Sequence, residues 1–329
     1  MRGGSPLRIG ILGAARIAPP ALVRPARALP EAEVAAIAAR DPARARAFAT
    51  KHGIAKVHES YDALLEDPAI DAVYNPLPNG LHCDWTLRAL HAGKHVLCEK
   101  PLASNAEQAE RMAQAAEDTG RILVEAFHYR YHPLAARMKE IVAGGELGRI
   151  EHVEAHLCIP LPLPGDIRYR LDLAGGATMD TGCYAINLVR FLAGAEPEVV
   201  SARARLASPG VDRAMDARLR FADGRTGRIT CSLLSAMLVR ATARVRGDRG
   251  ELSVLNPYMP QLYHRLRVRT AAGRRSERIR GDATYTHQLR AFVRTVRGES
   301  PMPTDAVDAI ANMRVIDAVY ESSGLFRRS

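Results

Sequence analysis

Two short stretches of this chain bring together residue types that could hold and move a proton. Glu99-Lys100-Pro101 follows the apolar run Val96-Leu97-Cys98, with Gly93 ahead of it, which predicts a buried parallel strand with an acid and a base delivered at its carboxyl end. In open α/β sheets, ligands lie outside the carboxyl ends of the strands, so Glu99 and Lys100 are candidates for contact with one. The second stretch, Gly175 to Leu192, reads as a helix from Ala177 onward, on which Asp180, Tyr184 and Asn187 share one face through i,i+4 and i,i+3 spacing. Tyrosine ionises near pH 10, so an acid/base role near neutrality needs a neighbouring cation, and Lys100 is the cation on offer. The plain structural readings are an exposed ion pair at a strand end and a tyrosine packed in a domain interface.

The elements that must position these groups can be read from the N-terminus. Leu7 to Leu12 predicts a strand, and Gly13-Ala14-Ala15-Arg16-Ile17 the turn into a helix, aligning as Gly13-x-Ala15-x-x-Ala18 with a dinucleotide-binding fingerprint. Val34 to Ala39 follows as a second strand, completing a βαβ order. Beyond it Ala39 stands where an NAD-binding acid would be, and Arg40 follows. Arginine suits a ribose 2′-phosphate, so NADP is the expected cofactor. Asp41 keeps NAD open as a ribose ligand displaced by one residue; its alternative role is to cap the helix starting at Pro42. Further alternation predicts a helix at Ala43 to His52, a strand near Val57, a helix at Tyr61 to Leu65 and a strand at Ala72 to Asn75. Pro76, Leu77, Asn79 and His82 then occupy a rigid loop where a nicotinamide could lie, although His82 could simply start the helix that runs to His91. A helix from Ala106 to Glu117 and a strand at Ile122 to Ala126 complete a doubly wound domain.

After Tyr129 the texture changes. A helix near Pro133 to Val142, a strand at Arg149 to Leu157 and a proline-rich loop at Ile159 to Ala174 precede the Asp180/Tyr184 helix. Four or more strands follow between Val199 and Ile279, with turns at Asp223-Gly224 and Gly247 to Gly250, and helices at Tyr285 to Val296 and Asp305 to Tyr320 close the chain. The expected division is therefore a dinucleotide-binding domain over 1–126 and an α+β domain over 127–329, whose last helix can pack back on the first. Arg130, Tyr169 and Tyr285 lie beside the motifs and are candidates for substrate contact.

Composition narrows the classes. The 329 residues are 47% apolar and 25% charged, as in an ordinary soluble protein. No run has the roughly 18 apolar residues of a membrane helix and no signal peptide is read ahead of Leu7, so a cytoplasmic protein is expected. The net charge of +10 comes from scattered arginines, dense only between Arg265 and Arg280, and reads as a solvated face and not a nucleic-acid site. Cysteines 83, 98, 158, 183 and 231 form no Cys-x-x-Cys pair and predict free thiols. His128 and His132 have i,i+4 spacing but no zincin glutamate after His128, so no metal is expected.

Together, the glycine turn, Glu99-Lys-Pro101, Glu125-Ala-Phe-His-Tyr-Arg-Tyr-His-Pro133, Gly175-Gly-x-x-x-Asp-x-Gly-x-Tyr-x-x-Asn187 and Asn312-Met-Arg-Val-Ile316 resemble the glucose-fructose oxidoreductase/inositol dehydrogenase/MocA family along essentially the whole chain. The tyrosine of Asp-x-Gly-x-Tyr is similar to the branch containing glucose-fructose oxidoreductase, dihydrodiol dehydrogenase and NADP-dependent xylose dehydrogenase. The resemblance implies a Rossmann domain followed by a mostly antiparallel sheet whose open face supports dimers or tetramers. It also implies Lys100 as the lysine touching substrate and nicotinamide ribose, Tyr184 as the acid/base and Asp180 as an organising acid. His128 stands where the family has methionine, which bears on the substrate. The function implied is NADP-linked hydride transfer on a sugar or cyclic polyol. A nucleotide-sugar ketoreductase and a non-catalytic NADP sensor are the alternatives.

Overall fold

The computed structural model describes residues 5–162, 165–235 and 238–329; Met1 to Gly4, and Leu163 and Pro164 of the predicted proline-rich loop, lie outside the described residues, as do Ala236 and Met237. The chain forms two compact units, Met1–His128 with Tyr285–Ala309, and Tyr129–Thr284 with Ile310–Ser329.

The first unit holds a six-stranded parallel sheet among the described residues: β1 (Leu7–Leu12), β2 (Ala32–Ala38), β3 (Lys56–His58), β4 (Ala72–Asn75), β5 (His95–Cys98) and β6 (Leu123–Glu125), in the order β3-β2-β1-β4-β5-β6. The order reverses between β1 and β4, which opens a crevice at their carboxyl ends, where doubly wound sheets bind ligands. Around the sheet run α1 (Arg24–Arg27), entered through a π-helical turn at Pro19–Val23, α2 (Pro42–His52), α3 (Tyr61–Leu65), α4 (His82–His91) and α5 (Ala106–Thr119). The starts of α3 and α5 follow from side-chain caps: Ser60 accepts from Ala63 N–H and Asn105 from Gln108 N–H. The chain re-enters this unit over Tyr285–Ala309, whereas the expected division drew one boundary near residue 127 and let only the last helix return. Its anchor is the outer edge of β6, where Glu125 N–H donates to the Thr304 carbonyl at 3.0 Å and Thr304 Oγ1 donates to the Glu125 carbonyl at 2.7 Å.

The second unit carries α6 (Pro133–Ala143), β7 (Ile150–Cys158), α7 (Cys183–Ala193), β8 (Pro197–Ser208), β9 (Val211–Phe221), β10 (Thr226–Ser232), β11 (Arg240–Gly247), β12 (Gly250–Leu255), β13 (Arg265–Thr270) and β14 (Gly273–Glu277). The sheet order is β14-β13-β12-β11-β7-β10-β9-β8, antiparallel except where β7 meets β10. Period-two alternation sorts its faces: in β11, Ala241, Ala243 and Val245 are buried while Arg244 and Arg246 on the other face are exposed. That second face carries much of the basic excess, partly answered by Asp216 against Arg228. The helices α8 (Thr284–Val296) and α9 (Ala306–Ser322) end the chain.

The continuous α-helix expected from Ala177 to Leu192 is corrected in one respect. Thr178–Gly182 forms a π-helical turn before α7 begins, so Asp180 does not follow the i,i+4 spacing read from the sequence. The turn is held at both ends by packing the pattern does not display: Thr178 N–H is bound by the Asp212 side chain, and Gly182 backs directly onto Cys231.

Candidate active site

In the first unit the glycine turn is built as the fingerprint requires. Gly13 has φ +93°, donates its N–H to the Ala38 carbonyl at 2.7 Å, and would place a Cβ 3.0 Å from the Leu77 side chain, so any other residue here would be strained. Ala14, Ala15 and Ile17 are half-buried and Arg16 is exposed beside it. Arg40 is exposed, with its backbone N–H on the Tyr61 hydroxyl at 3.3 Å. Asp41, the NAD alternative, is the N-cap of α2: its Oδ1 accepts from Ala43 N–H at 2.9 Å and Arg44 N–H at 3.4 Å.

Lys100 leaves a turn whose neighbours are locked from three directions. The Tyr74 hydroxyl donates to Glu99 Oε1 at 2.6 Å, Glu125 Oε1 accepts from Leu102 N–H at 2.8 Å, and His82 Nδ1 lies 2.9 Å from the Pro101 carbonyl. The Lys100–Pro101 peptide is cis. The other imidazole nitrogen of His82 lies 2.7 Å from the Leu77 carbonyl, so this ring clips the Pro76–His82 loop to the lysine turn. Burial pushes the His82 imidazole down to about 4, against the two carbonyls that favour its charged form. Pro76 is buried, and Asn75 braces the same loop by accepting from Leu77 N–H and donating to Thr86 Oγ1. Asn79 is half-buried in the loop's short 3₁₀ turn.

His128 and Tyr285 come together in this unit, with ring centroids 4.1 Å apart. Burial and the Lys100 charge push His128 down to about 3, which leaves it neutral and ill-suited to carry a proton at neutral pH. Burial and the charge of Glu99 raise Tyr285 well above the usual phenol range.

In the second unit Tyr184 is buried in an aromatic cluster, its ring 6.1 Å from Tyr129 and 5.6 Å from Tyr258. Asp180 is paired with Arg168 Nε at 3.0 Å, and that carboxylate raises the pKa of Arg168. Asn187 Oδ1 accepts from the Tyr129 hydroxyl at 2.6 Å and from Arg130 Nη1 at 3.3 Å, while the Arg130 guanidinium covers Phe191. Arg130 is therefore tied to α7. Tyr169, expected at the substrate, donates its hydroxyl to the Leu161 carbonyl at 2.7 Å and so clamps its own loop. His132 Nδ1 accepts from Leu134 N–H and caps α6. Sequence reasoning missed Tyr258 and Arg168: both are brought in by loops, and no spacing signal links either to α7.

Three comparisons bear on this arrangement. Residues 7–127 match the family described as an oxidoreductase family with NAD-binding Rossmann fold, and residues 135–253 match the GFO/IDH/MocA C-terminal domain. The chain is 39% identical over 319 residues to a D-xylose 1-dehydrogenase (NADP(+)) of Haloferax volcanii, covering 96% of this chain and 97% of that one. It is 36% identical to a dTDP-3,4-didehydro-2,6-dideoxy-alpha-D-glucose 3-reductase of Streptomyces violaceoruber, covering 98% and 96%. It superposes with TM-score 0.90 and 32% identity on a 3-ketoreductase from Actinomadura kijaniata in complex with NADP and TDP-benzene, covering 96% and 98%.

Proposed function

This chain belongs to the GFO/IDH/MocA oxidoreductase family, and we propose that it is an NADP-dependent dehydrogenase of a free sugar or cyclic polyol, with Tyr184 as acid/base and Lys100 as its cation. The observation that carries the reading is the three-sided lock on Glu99, Pro101 and Leu102, which fixes the backbone from which Lys100 projects.

The first unit fits a dinucleotide. Gly13 leaves no side chain against Leu77, and no acid among the described residues pairs with the Arg40 guanidinium, which suits it to a 2′-phosphate. Gly13 to Ile17, Arg40, Pro76, Leu77, Asn79, His82 and Glu99 would hold the cofactor, which as NADP would take up the hydride in oxidation and as NADPH would supply it in reduction. Lys100 holds the reacting hydroxyl and favours the tyrosinate; Tyr184 takes the hydroxyl proton in oxidation and returns it in reduction. Asp180, paired with Arg168, organises the substrate hydroxyls, and Tyr285 borders them. Assembly into a dimer or tetramer through the open face of the second sheet, in the cytoplasm, completes the reading.

The relatives acting on dTDP-sugars favour a second reading, reduction of a nucleotide-linked keto sugar. Aldoses, inositols, cyclic diols and dTDP-keto sugars, followed at 340 nm with NADP(H) and NAD(H), separate the two. Turnover of free aldoses or polyols with NADP supports the first; reduction of dTDP-sugars alone replaces it.

A further inference from the structure

Asp212, on β9, lies outside every motif described above and is fully buried. Its Oδ2 accepts from Thr178 N–H at 2.8 Å and from the Thr178 hydroxyl at 2.7 Å. Its Oδ1 accepts from the Tyr320 hydroxyl at 2.9 Å and from Arg328 Nη2 at 3.0 Å. Arg328 is only 3% exposed; its Nη1 donates to the Gly210 carbonyl at 2.7 Å, and its guanidinium covers the Tyr320 ring at 4.1 Å. Gly176, with φ +136°, lies so close that a Cβ there would come within 2.2 Å of Asp212 Oδ1. One carboxylate thus joins β9, α9, the segment after α9 and the first residue of the π-helical turn.

That turn carries Asp180 two residues after Thr178 and runs directly into α7 and Tyr184. A buried carboxylate keeps its position only while its donors and its cation do. Arg328 is the cation bonded to Asp212, so the place of the Thr178 turn depends on a side chain about 150 residues downstream in the same compact unit.

We propose that Asp212 and Arg328 are positioning residues for the Asp180–Tyr184 turn, and that the segment after α9 is a strap that sets the catalytic geometry. The proposal rests on the reading of Tyr184 as the acid/base. Arg328 reaches the turn through Asp212, whose two carboxylate oxygens bind Arg328 Nη2 and Thr178. Misplacement of a reacting group by about 1 Å can cost on the order of 10²-fold in rate, which sets the effect to look for.

The test is Arg328→Ala in the full-length protein, with millimolar guanidinium added back. The expected result is a large fall in kcat, an unchanged NADP dissociation constant, and recovery of kcat with guanidinium but not with tetramethylammonium. A shift in the pH dependence of kcat, reversed by guanidinium, would locate the effect at the proton-transfer group. If this variant does not fold, Arg328→Lys and Thr178→Val replace it, each expected to lower kcat with native circular dichroism. Normal kcat in a folded Arg328→Ala or Thr178→Val protein, or a loss that guanidinium cannot restore, overturns the strap. Tyr184→Phe run alongside separates the two failures: normal turnover there overturns the acid/base reading instead.

Discussion

The Tyr74 hydroxyl donates to Glu99 Oε1 across 2.6 Å, with Tyr74 fully buried and Glu99 nearly so. This bond joins the end of β4 to the residue immediately before Lys100. Removing a donor from a buried carboxylate costs about 1.5–3 kcal/mol, so Tyr74→Phe should lower stability on that scale in urea titration. It should also lower kcat, because the residue before Lys100 loses a restraint. Unchanged kcat alongside the stability loss would confine Tyr74 to folding.

The carboxyl ends of the strands are where the sequence was most informative. A three-residue apolar run such as Val96 to Cys98, bounded by Gly93 and Pro101, is too short for a helix and suits a buried parallel strand, so the position of Glu99 and Lys100 follows from the run and its bounds. Asp41 was legible as a cap because Pro42 follows it. Other features depend on tertiary contacts that leave no period in the sequence. The π-helical turn at Thr178 answers to Asp212, Tyr258 reaches Tyr184 only through the loop after β12, and Arg168 meets Asp180 across a proline-rich loop. Tyr169 shows the converse, since its place beside a motif suggested chemistry and its hydroxyl holds a backbone carbonyl.

Acid should destabilise the protein through its buried imidazoles. Burial pushes His82 down to about 4 and, together with the Lys100 charge, His128 down to about 3, against an ordinary value of 6.5. The folded chain therefore binds these protons more weakly than the unfolded chain. Their contribution is complete above pH 6.5 and falls as pH drops toward 4, on the order of 3 kcal/mol for His82 alone. Urea midpoints across this range should fall with acidification, and less steeply in His82→Gln. Equal slopes for the two proteins would assign the acid sensitivity elsewhere.

Cofactor choice should turn on Arg40 and not on Asp41. Arg40→Ala should weaken NADP much more than NAD, by the loss of charge-assisted hydrogen bonds to a phosphate. Asp41→Ala removes the α2 cap, at a cost of about 1 kcal/mol in stability, and should leave the NADP/NAD ratio of dissociation constants unchanged. An Asp41 variant that loses NAD selectively would restore the ribose role to this carboxylate.

Arg168→Gln should separate the organisation of Asp180 from folding. The Arg168 side chain is 40% exposed, and its pairs are with Asp166 in the same loop and Asp180 on the π-helical turn, so the global stability change should be small. Asp180 would lose a cation, and the substrate KM should rise while the NADP dissociation constant stays the same. Identical kinetics would leave Asp180 organised by its own helix turn.

Lys100 and Tyr184 should behave as one catalytic unit. Loss of an acid/base group costs about 10² to 10⁴ in rate, so Tyr184→Phe should lose kcat on that scale while still binding NADP. Lys100→Met should lose comparably, because the lysine's task is to make the tyrosine's proton transfer feasible near neutrality, and it should also loosen NADP through the ribose. Two residues serving a single proton transfer are not additive: once the tyrosine hydroxyl is gone, the lysine has no tyrosinate left to stabilise. The double variant should therefore be little slower than the slower single variant. The pH dependence adds an independent readout, since Lys100→Met should move the acidic limb of residual oxidation, where Tyr184 must be ionised to take the proton, upward toward the ordinary phenol value near 10. If the two losses instead multiply, or if Lys100→Met leaves that limb in place, the lysine acts only in binding and Tyr184 must draw its acidity from another source.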